Sequence, residues 1–425
     1  MKMQKERKIV EPRAVWLLFA LCWAVYFSAY IAKRNFSAAM TEMIGGGFLP
    51  KDRAGLINTV FFVCYAVGQL CNGVLGDRFR PQRLILIGTL LSGACNLAMG
   101  TVRDSWLMLP LWAANGYALS MLWPPILRIL CDLLLTEDKT RCSVNMSTSV
   151  AAGTMVSYLL CAGEISLWGW RSTFWLAGGW MVLIGAVWAV TFPVVEKRAR
   201  ELELPPEQQA QHKANSGVPL RAILLTAPVL MLVVPTLIQG VLRDGVTSWV
   251  PTYVSENFWA DPAFAVLIST LLPVVNLAGP YAARFLQKRW LHTEAATSAA
   301  LFALAAAALG CLITFGKNSM GGSVICFGVI TASMEGINMM IVSLFPMRFG
   351  KYGRTATISG FFNFITYAGT AISTYGVGLL AERFGWGSAL LAWVTLAAAA
   401  LLICIAVARV QRREQAAALS DEAKN

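Results

Sequence analysis

Long apolar runs recur along this chain from about residue 14 to about residue 409. A helical run of about twenty such residues is as long as the hydrocarbon core of a bilayer is thick. In lipid a backbone must satisfy its own N–H and C=O groups, which makes the helix the natural form for each run. At 57% hydrophobic and 14% charged residues, the chain reads as a polytopic membrane protein, not a soluble domain. Twelve spans are expected, at roughly 14–40, 54–75, 83–101, 106–131, 144–166, 171–192, 222–254, 263–286, 295–315, 321–347, 354–380 and 386–409. The expected fold class is therefore an all-α membrane protein of twelve transmembrane helices.

The net charge of +12 invites a nucleic-acid reading, but its distribution argues against one. With both termini inside, roughly 25 of the 35 Lys and Arg fall on the cytoplasmic side and about six in outer loops. They cluster at Lys2 to Arg13, Arg78 to Arg83, Lys197 to Arg200, Arg284 to Arg289 and Arg409 to Arg413. Such asymmetry reports topology and contact with anionic membrane lipids, with no nucleic acid as partner. The expected location is a plasma membrane, a bacterial inner membrane, with both termini cytoplasmic. The N-terminus offers no small-residue cleavage site, and its apolar run is too long for a signal peptide. The ten cysteines lie scattered in apolar spans without a CxxC pair or a His-rich cluster, so no metal site, disulfide framework or cofactor is expected.

One composition break interrupts the apolar pattern, at 196–219 (EKRARELELPPEQQAQHKANSGVP). It is charged, carries a Pro pair and lacks apolar periodicity, and reads as a cytoplasmic linker. It divides the chain into an N-terminal six-helix half at 1–195 and a C-terminal six-helix half at 220–410, with a polar, frayed cytoplasmic tail at 411–425. The halves repeat. Gly73-x-x-x-Asp77-Arg78-Phe79-x-x-x-Arg83 follows the second span, and Gly279-x-x-x-Ala283-Arg284-Phe285-x-x-x-Arg289 follows the eighth. Arg141 and Gly169-Trp170 flank the fifth and sixth spans as Arg354 and Gly385-Trp386 flank the eleventh and twelfth. Two such coincidences in register point to parallel, pseudo-symmetric halves related by an axis along the membrane normal.

The Gly-x-x-x-Asp77-Arg78-x-x-x-x-Arg83 loop resembles the signature of the major facilitator superfamily, and the twelve spans and central linker extend that resemblance over nearly the whole chain. Physically, Asp77 can cap a neighbouring helix end while Arg78 and Arg83 hold the cytoplasmic surface, which makes a conformational latch. Ala283 replaces the acid in the second half, so its latch should be weaker or differently made.

Charges at bilayer depth are costly and usually face a wet cavity with a partner. Lys33 and Arg34 lie in the first span and Arg243 in the seventh, about 210 residues apart in a chain that repeats at about that period. Such a pseudo-symmetric pair suggests an anion pocket. Three stretches resemble the organophosphate:phosphate antiporters, the branch holding glycerol-3-phosphate and hexose-phosphate transporters. They are Tyr26-x-x-x-Tyr30-Ile-Ala-Lys33-Arg34-Asn35-Phe36, Trp123-Pro124-Pro125-x-x-Arg128 and Arg243-Asp244-Gly245-Val246-Thr247-Ser248-Trp249-Val250-Pro251-Thr252-Tyr253. The resemblance implies that cations of the first and seventh spans hold a phosphoryl group from both halves. It also implies that Tyr65, Trp123, Asn145 and Tyr367 line the pocket. The chain departs from that pattern in two ways. The family's Arg-Lys order in the first span is Lys33-Arg34 here, which leaves open which cation reaches the cavity. Gln69 and Thr148 stand where the glycerol-phosphate transporter carries basic residues.

Read alone, either charged site also fits the outer end of an ordinary span, because about nineteen apolar residues precede Lys33 and about twenty-one precede Arg243. Trp123, Tyr65 and Tyr367 equally suit packing, and Asn145 equally suits a cap. Glu335, in the tenth span, is expected to neutralise Arg243 or Lys33 or to carry a proton, unless it is a water-bonded carboxylate at a kink. Glu164 is expected to face water. Asp244, about 100° round the helix from Arg243, is expected to contact something else.

No Walker loop, HExxH, nucleophile elbow or dinucleotide fingerprint occurs in a suitable context, so no enzyme is indicated. The expected function is secondary transport of a small organic anion, an organophosphate exchanged for inorganic phosphate by a monomer through alternating access. Two rivals stand beside it: a proton-coupled symporter of a carboxylate such as a sugar acid, and a transporter-like sensor of phosphorylated sugar.

Overall fold

The computed structural model describes residues 5–203, 219–259, 272–316 and 319–422. The linker residues 204–218, the opening of the expected eighth span up to residue 271, and Lys2 lie outside the described residues. The chain divides into two compact units. One comprises Met1–Val218 with Pro346–Phe364, and the other Pro219–Phe345 with Ile365–Asn425.

The first unit opens with strand β1 (Lys5–Lys8) and helices α1 (Pro12–Gly45), α2 (Lys51–Arg78) and α3 (Pro81–Thr101). Next come α4 (Met108–Ser120) and α5 (Trp123–Leu133), which share the expected fourth span and are broken apart at Met121–Leu122, just before Pro124-Pro125. α6 (Thr136–Asn145), α7 (Ser147–Trp168) and α8 (Trp170–Glu196) follow, then strand β2 (Arg200–Glu203). The second unit begins with α9 (Leu220–Leu224) and α10 (Ala227–Phe258), then α11 (Leu272–Asn276) and α12 (Ala278–Leu286). After α13 (Glu294–Phe315) comes α14 (Met320–Asn338), which continues through a π-helical stretch at Met339–Leu344 into α15 (Phe345–Met347). The last element, α16 (Thr355–Glu422), is two helices joined at Gly385.

Among the described residues, nine helices are long and apolar enough to cross a membrane. The expected spans at 106–131, 263–286 and 354–380 are not among them. The first is broken between α4 and α5, and the second lies partly outside the described residues. The third is a continuous helix whose buried face is polar, with Ser359, Asn363, Thr366, Thr370 and Ser373 in a stripe of spacing three and four.

Gly169 (φ 75°, ψ 170°) turns the chain between α7 and α8, and Gly385 (φ 77°, ψ 169°) makes the same turn inside α16. That backbone conformation is open to glycine and strained for side chains with a Cβ. The Gly-Trp repeat seen in the sequence is thus a repeat of conformation.

Two differences from the sequence reading stand out. Part of the expected linker is strand: Arg200–Glu203 pairs antiparallel with Lys5–Lys8. The basic N-terminus around it caps helix ends. The Lys8 ammonium donates to the Cys131 and Asp132 carbonyls of α5 (3.2 and 2.9 Å), Ile9 N–H donates to the Leu133 carbonyl, and Arg7 donates to the Glu196 carbonyl of α8. These carbonyls lack helical partners and carry the negative pole of each helix, so cations collect there. The tail expected to fray is also helical, running to Glu422, as its Arg-Arg-Glu-Gln-Ala-Ala-Ala stretch of strong helix formers allows.

Candidate anion site

In the second unit, α10 carries Arg243 against the polar stripe of α16. The two helices cross at backbone contact: a Cβ on Gly240 would run into the Thr366 carbonyl, and one on Gly369 into the Leu237 carbonyl. Small residues at a membrane helix crossing let polar groups meet across it. Gln239, one turn before Arg243, is buried; its Oε1 accepts from the Thr366 hydroxyl (3.3 Å) and its amide donates to the Met334 carbonyl of α14 (3.2 Å).

Arg243 stands at the centre. Its side chain is 12% exposed. Nε donates to Asp244 Oδ1 (3.1 Å) and Nη2 to Asp244 Oδ2 (2.9 Å). Glu335 Oε1 on α14 lies 3.9 Å from Nε, and the Tyr367 ring lies 5.7 Å from the guanidinium carbon. The Thr370 hydroxyl donates to Asp244 Oδ2 at 2.5 Å, while the Arg243 carbonyl accepts from Thr247. The structure therefore brings Arg243, Glu335 and Tyr367 together.

Asp244 corrects an expectation. Adjacent residues do leave a helix about 100° apart, yet Arg243 curls its long side chain back and takes its neighbour as a bidentate partner. Backbone geometry limits where Cβ atoms point, not where a guanidinium four bonds further out can reach.

In the first unit, Lys33 is 8% exposed on α1, with Arg34 half-buried beside it. The Lys33 ammonium stands 4.2 Å from the Tyr65 ring centroid, 5.5 Å from those of Tyr30 and Phe62, and 6.0 Å from that of Phe61. Aromatic faces of α1 and α2 thus surround it with negative quadrupole charge. Trp123 opens α5 and packs on Tyr26, 4.9 Å between ring centroids. Asn145 ends α6; its carbonyl accepts from the Thr148 hydroxyl, whose oxygen accepts from the Trp23 indole (2.8 Å each). Gln69 is buried and its Oε1 accepts from Asn363 (3.3 Å). Glu164 is half-buried.

A buried network missed in the sequence fixes the turn that carries Lys33. Asn35 donates to Asn96 Oδ1 (2.8 Å) and Asn96 to Asn115 Oδ1 (3.3 Å), an atom that also accepts from Ser92 (2.7 Å). Asn115 Nδ2 in turn donates to the Ala32 carbonyl (3.1 Å). Asn35, Ser92, Asn96 and Asn115 are all fully buried. The available signal was three asparagines within expected spans, Asn96 and Asn115 in apolar runs and Asn35 directly after Lys33-Arg34.

At the end of α2, Asp77 caps the start of α16, with Oδ1 accepting from Ala356 N (3.0 Å) and Oδ2 from Thr357 N (2.7 Å). Arg78 and Arg83 are exposed. Arg128, to which the sequence assigned no role, donates to the Gly76 and Phe79 carbonyls at the C-terminal end of α2 and pairs with Asp132 (3.1 Å). Among the described residues no His, Cys, Asp and Glu group could hold a metal ion.

Comparison with known proteins agrees with this architecture. Residues 22–374 match the Major Facilitator Superfamily. The membrane sensor protein UhpC of Escherichia coli is 23% identical over 267 residues, which is 60% of this chain and 60% of the sensor. A probable hexose phosphate transport protein of Chlamydia trachomatis is 22% identical over 89% of this chain and 87% of its own length. The glycerol-3-phosphate transporter of Bacillus subtilis is 21% identical, over 85% of each chain. In fold, a solved structure of the transporter FucP superposes with a TM-score of 0.71 at 16% identity, covering 93% of this chain and 99% of that one. The chain is an integral membrane protein and belongs to the Major Facilitator Superfamily.

Proposed function

We propose that this chain is a secondary active transporter that carries a small organophosphate across the membrane in exchange for inorganic phosphate, by alternating access. The observation that carries this reading is Arg243: a guanidinium within a helix long and apolar enough to cross a membrane, 12% exposed, with its planar fork engaged by the Asp244 carboxylate oxygens. Such a fork matches a phosphoryl group and keeps its charge in any environment. Lys33, with aromatic walls around its ammonium, would supply the matching cation of the first repeat. Tyr65, Trp123, Asn145 and Tyr367 would line the path of the organic part. The names of the relatives, a probable hexose phosphate transport protein and a glycerol-3-phosphate transporter, support the substrate class. In this reading the protein works as a monomer in a bacterial inner membrane with both termini cytoplasmic. It needs no cofactor.

The test is counterflow. Proteoliposomes loaded with inorganic phosphate are offered labelled phosphate, with organophosphates and carboxylates as competitors. Rapid exchange blocked by one sugar or glycerol phosphate supports the antiporter and names its substrate.

One observation favours a second reading. Two carboxylates, Asp244 and Glu335, face Arg243. A proton carried on Glu335 would suit a symporter of an organic carboxylate. Uptake driven by a pH gradient, with no competition from phosphate, would select that reading. Tight binding with negligible turnover would select a sensor.

A further inference from the structure

Arg243 already holds an oxyanion, and the chain itself supplies it. The Asp244 carboxylate lies on the Nε–Nη2 edge of the guanidinium at 3.1 and 2.9 Å. A phosphoryl or carboxyl group would use the same two-point geometry on that edge. The carboxylate is also held from a second helix, because Thr370 on α16 donates to Oδ2 at 2.5 Å. Glu335 on α14 adds a second negative charge 3.9 Å from Nε. The Asp244 side chain is 31% exposed and that of Glu335 28%, against 12% for Arg243. Both carboxylates are thus more exposed than the cation they face.

We propose that Asp244 is an internal competitor for the transported anion: it occupies the Nε–Nη2 edge of Arg243, must be displaced when an oxyanion binds there, and penalises doubly charged ligands more than singly charged ones. The proposal rests on the reading that Arg243 binds the transported oxyanion. It makes Asp244 and its tether Thr370 determinants of affinity and of ligand charge. The repulsion between like charges is largest where water is scarce, so the penalty grows with each negative charge brought to the site.

The experiment uses the purified full-length protein and its Asp244→Asn and Thr370→Val variants. Each is titrated at one pH with inorganic phosphate, sn-glycerol 3-phosphate and glucuronate. The readout is the half-saturation concentration in equilibrium binding at one fixed temperature, by isothermal titration calorimetry on the folded protein. Asp244→Asn should bind phosphate on the order of tenfold more tightly, with a smaller gain for glucuronate, as expected for losing a charge-assisted pair in competition. Thr370→Val should move in the same direction by less, because it loosens Asp244 without touching Arg243. Half-saturation by phosphate at an equal or higher concentration in Asp244→Asn would overturn the proposal. If Asp244→Asn does not fold, Thr370→Val decides, and unchanged or weaker binding there overturns the proposal in the same way. Phosphate binding that is equal in wild type and Asp244→Asn would sink the competitor and leave the organophosphate reading standing. Binding of glucuronate alone, tightened in Asp244→Asn, would do the reverse.

Discussion

Asp77 holds Thr357 and the residue before it by their backbone N–H groups: Oδ1 accepts from Ala356 at 3.0 Å and Oδ2 from Thr357 at 2.7 Å. Both donors belong to the first turn of α16, where N–H groups have no helical acceptor and the helix dipole is positive. A carboxylate there satisfies two orphan donors at once. Asp77→Ala should lower stability by about 1–2 kcal/mol, and Asp77→Asn by less, because it keeps one acceptor but loses the charge. Thermal unfolding in detergent measures both. An unchanged midpoint in the alanine variant would mean that the latch contributes nothing to the fold.

Arg243 is the position where charge alone should not suffice. Arg243→Lys keeps a cation near Asp244 and Glu335, so the helix crossing of α10 and α16 should survive. It replaces a planar fork by a point charge that cannot hold two oxygens in parallel. We expect anion counterflow to fall by about a hundredfold, the size of losing a charge-assisted bidentate contact. The amount of protein in the membrane should stay the same. Exchange at the wild-type rate would remove Arg243 from the binding site.

Tyr65 offers a test of what surrounds Lys33. Its ring centroid lies 4.2 Å from the ammonium, closer than those of Tyr30, Phe61 and Phe62. If the ring face does the work, Tyr65→Phe should retain anion affinity within about twofold, while Tyr65→Leu loses about tenfold, between the exposed and the desolvated strengths of a cation–π contact. Comparing half-saturation concentrations in counterflow separates the two. Equal losses in both variants would assign the role to the hydroxyl. Lys33→Ala and Arg34→Ala, measured alongside, show which cation of the first span the anion uses.

The helices were legible because length and apolar content are properties of single segments, and the bilayer makes helix the economical form for each. The Gly-Trp turns were legible because a positive-φ turn needs glycine twice, at Gly169 and Gly385. That Glu335 needs a partner was legible, since an intramembrane acid usually has one, but the sequence left Arg243, Lys33 and a proton as alternatives, and the 3.9 Å approach to Arg243 depends on how α10 and α14 pack. Asp244 could not be placed, because the reach of a flexible guanidinium is not encoded in helical angle. The β1–β2 pairing was hidden because its charged residues show no alternation to read. Arg128 entered the sequence reading only as part of the Trp123-Pro124-Pro125-x-x-Arg128 string, with no role of its own. Its job, closing the last carbonyls of α2, depends on where α5 runs beside α2.

Asn115 joins the architecture of the first unit to Lys33. Its amide donates to the Ala32 carbonyl, and its Oδ1 accepts from Ser92 and Asn96, all fully enclosed. Asn115→Ala would leave a hydroxyl, an amide and a backbone carbonyl short of partners. Buried polar groups in water-soluble proteins lose about 1–3 kcal/mol in such cases, while hydrogen bonds between membrane helices average about 0.6 kcal/mol. The three bonds together therefore predict a loss of about 2 kcal/mol in thermal or denaturant unfolding. Asn35 reaches the same network through Asn96. In a double-mutant cycle, Asn35→Ala and Asn115→Ala should cost less together than the sum of each alone, with a coupling of about 0.5–1 kcal/mol. Because the Ala32 carbonyl directly precedes Lys33, both variants should also raise the half-saturation concentration for the transported anion. Strict additivity, with unchanged anion affinity, would reduce the network to two independent packing contacts.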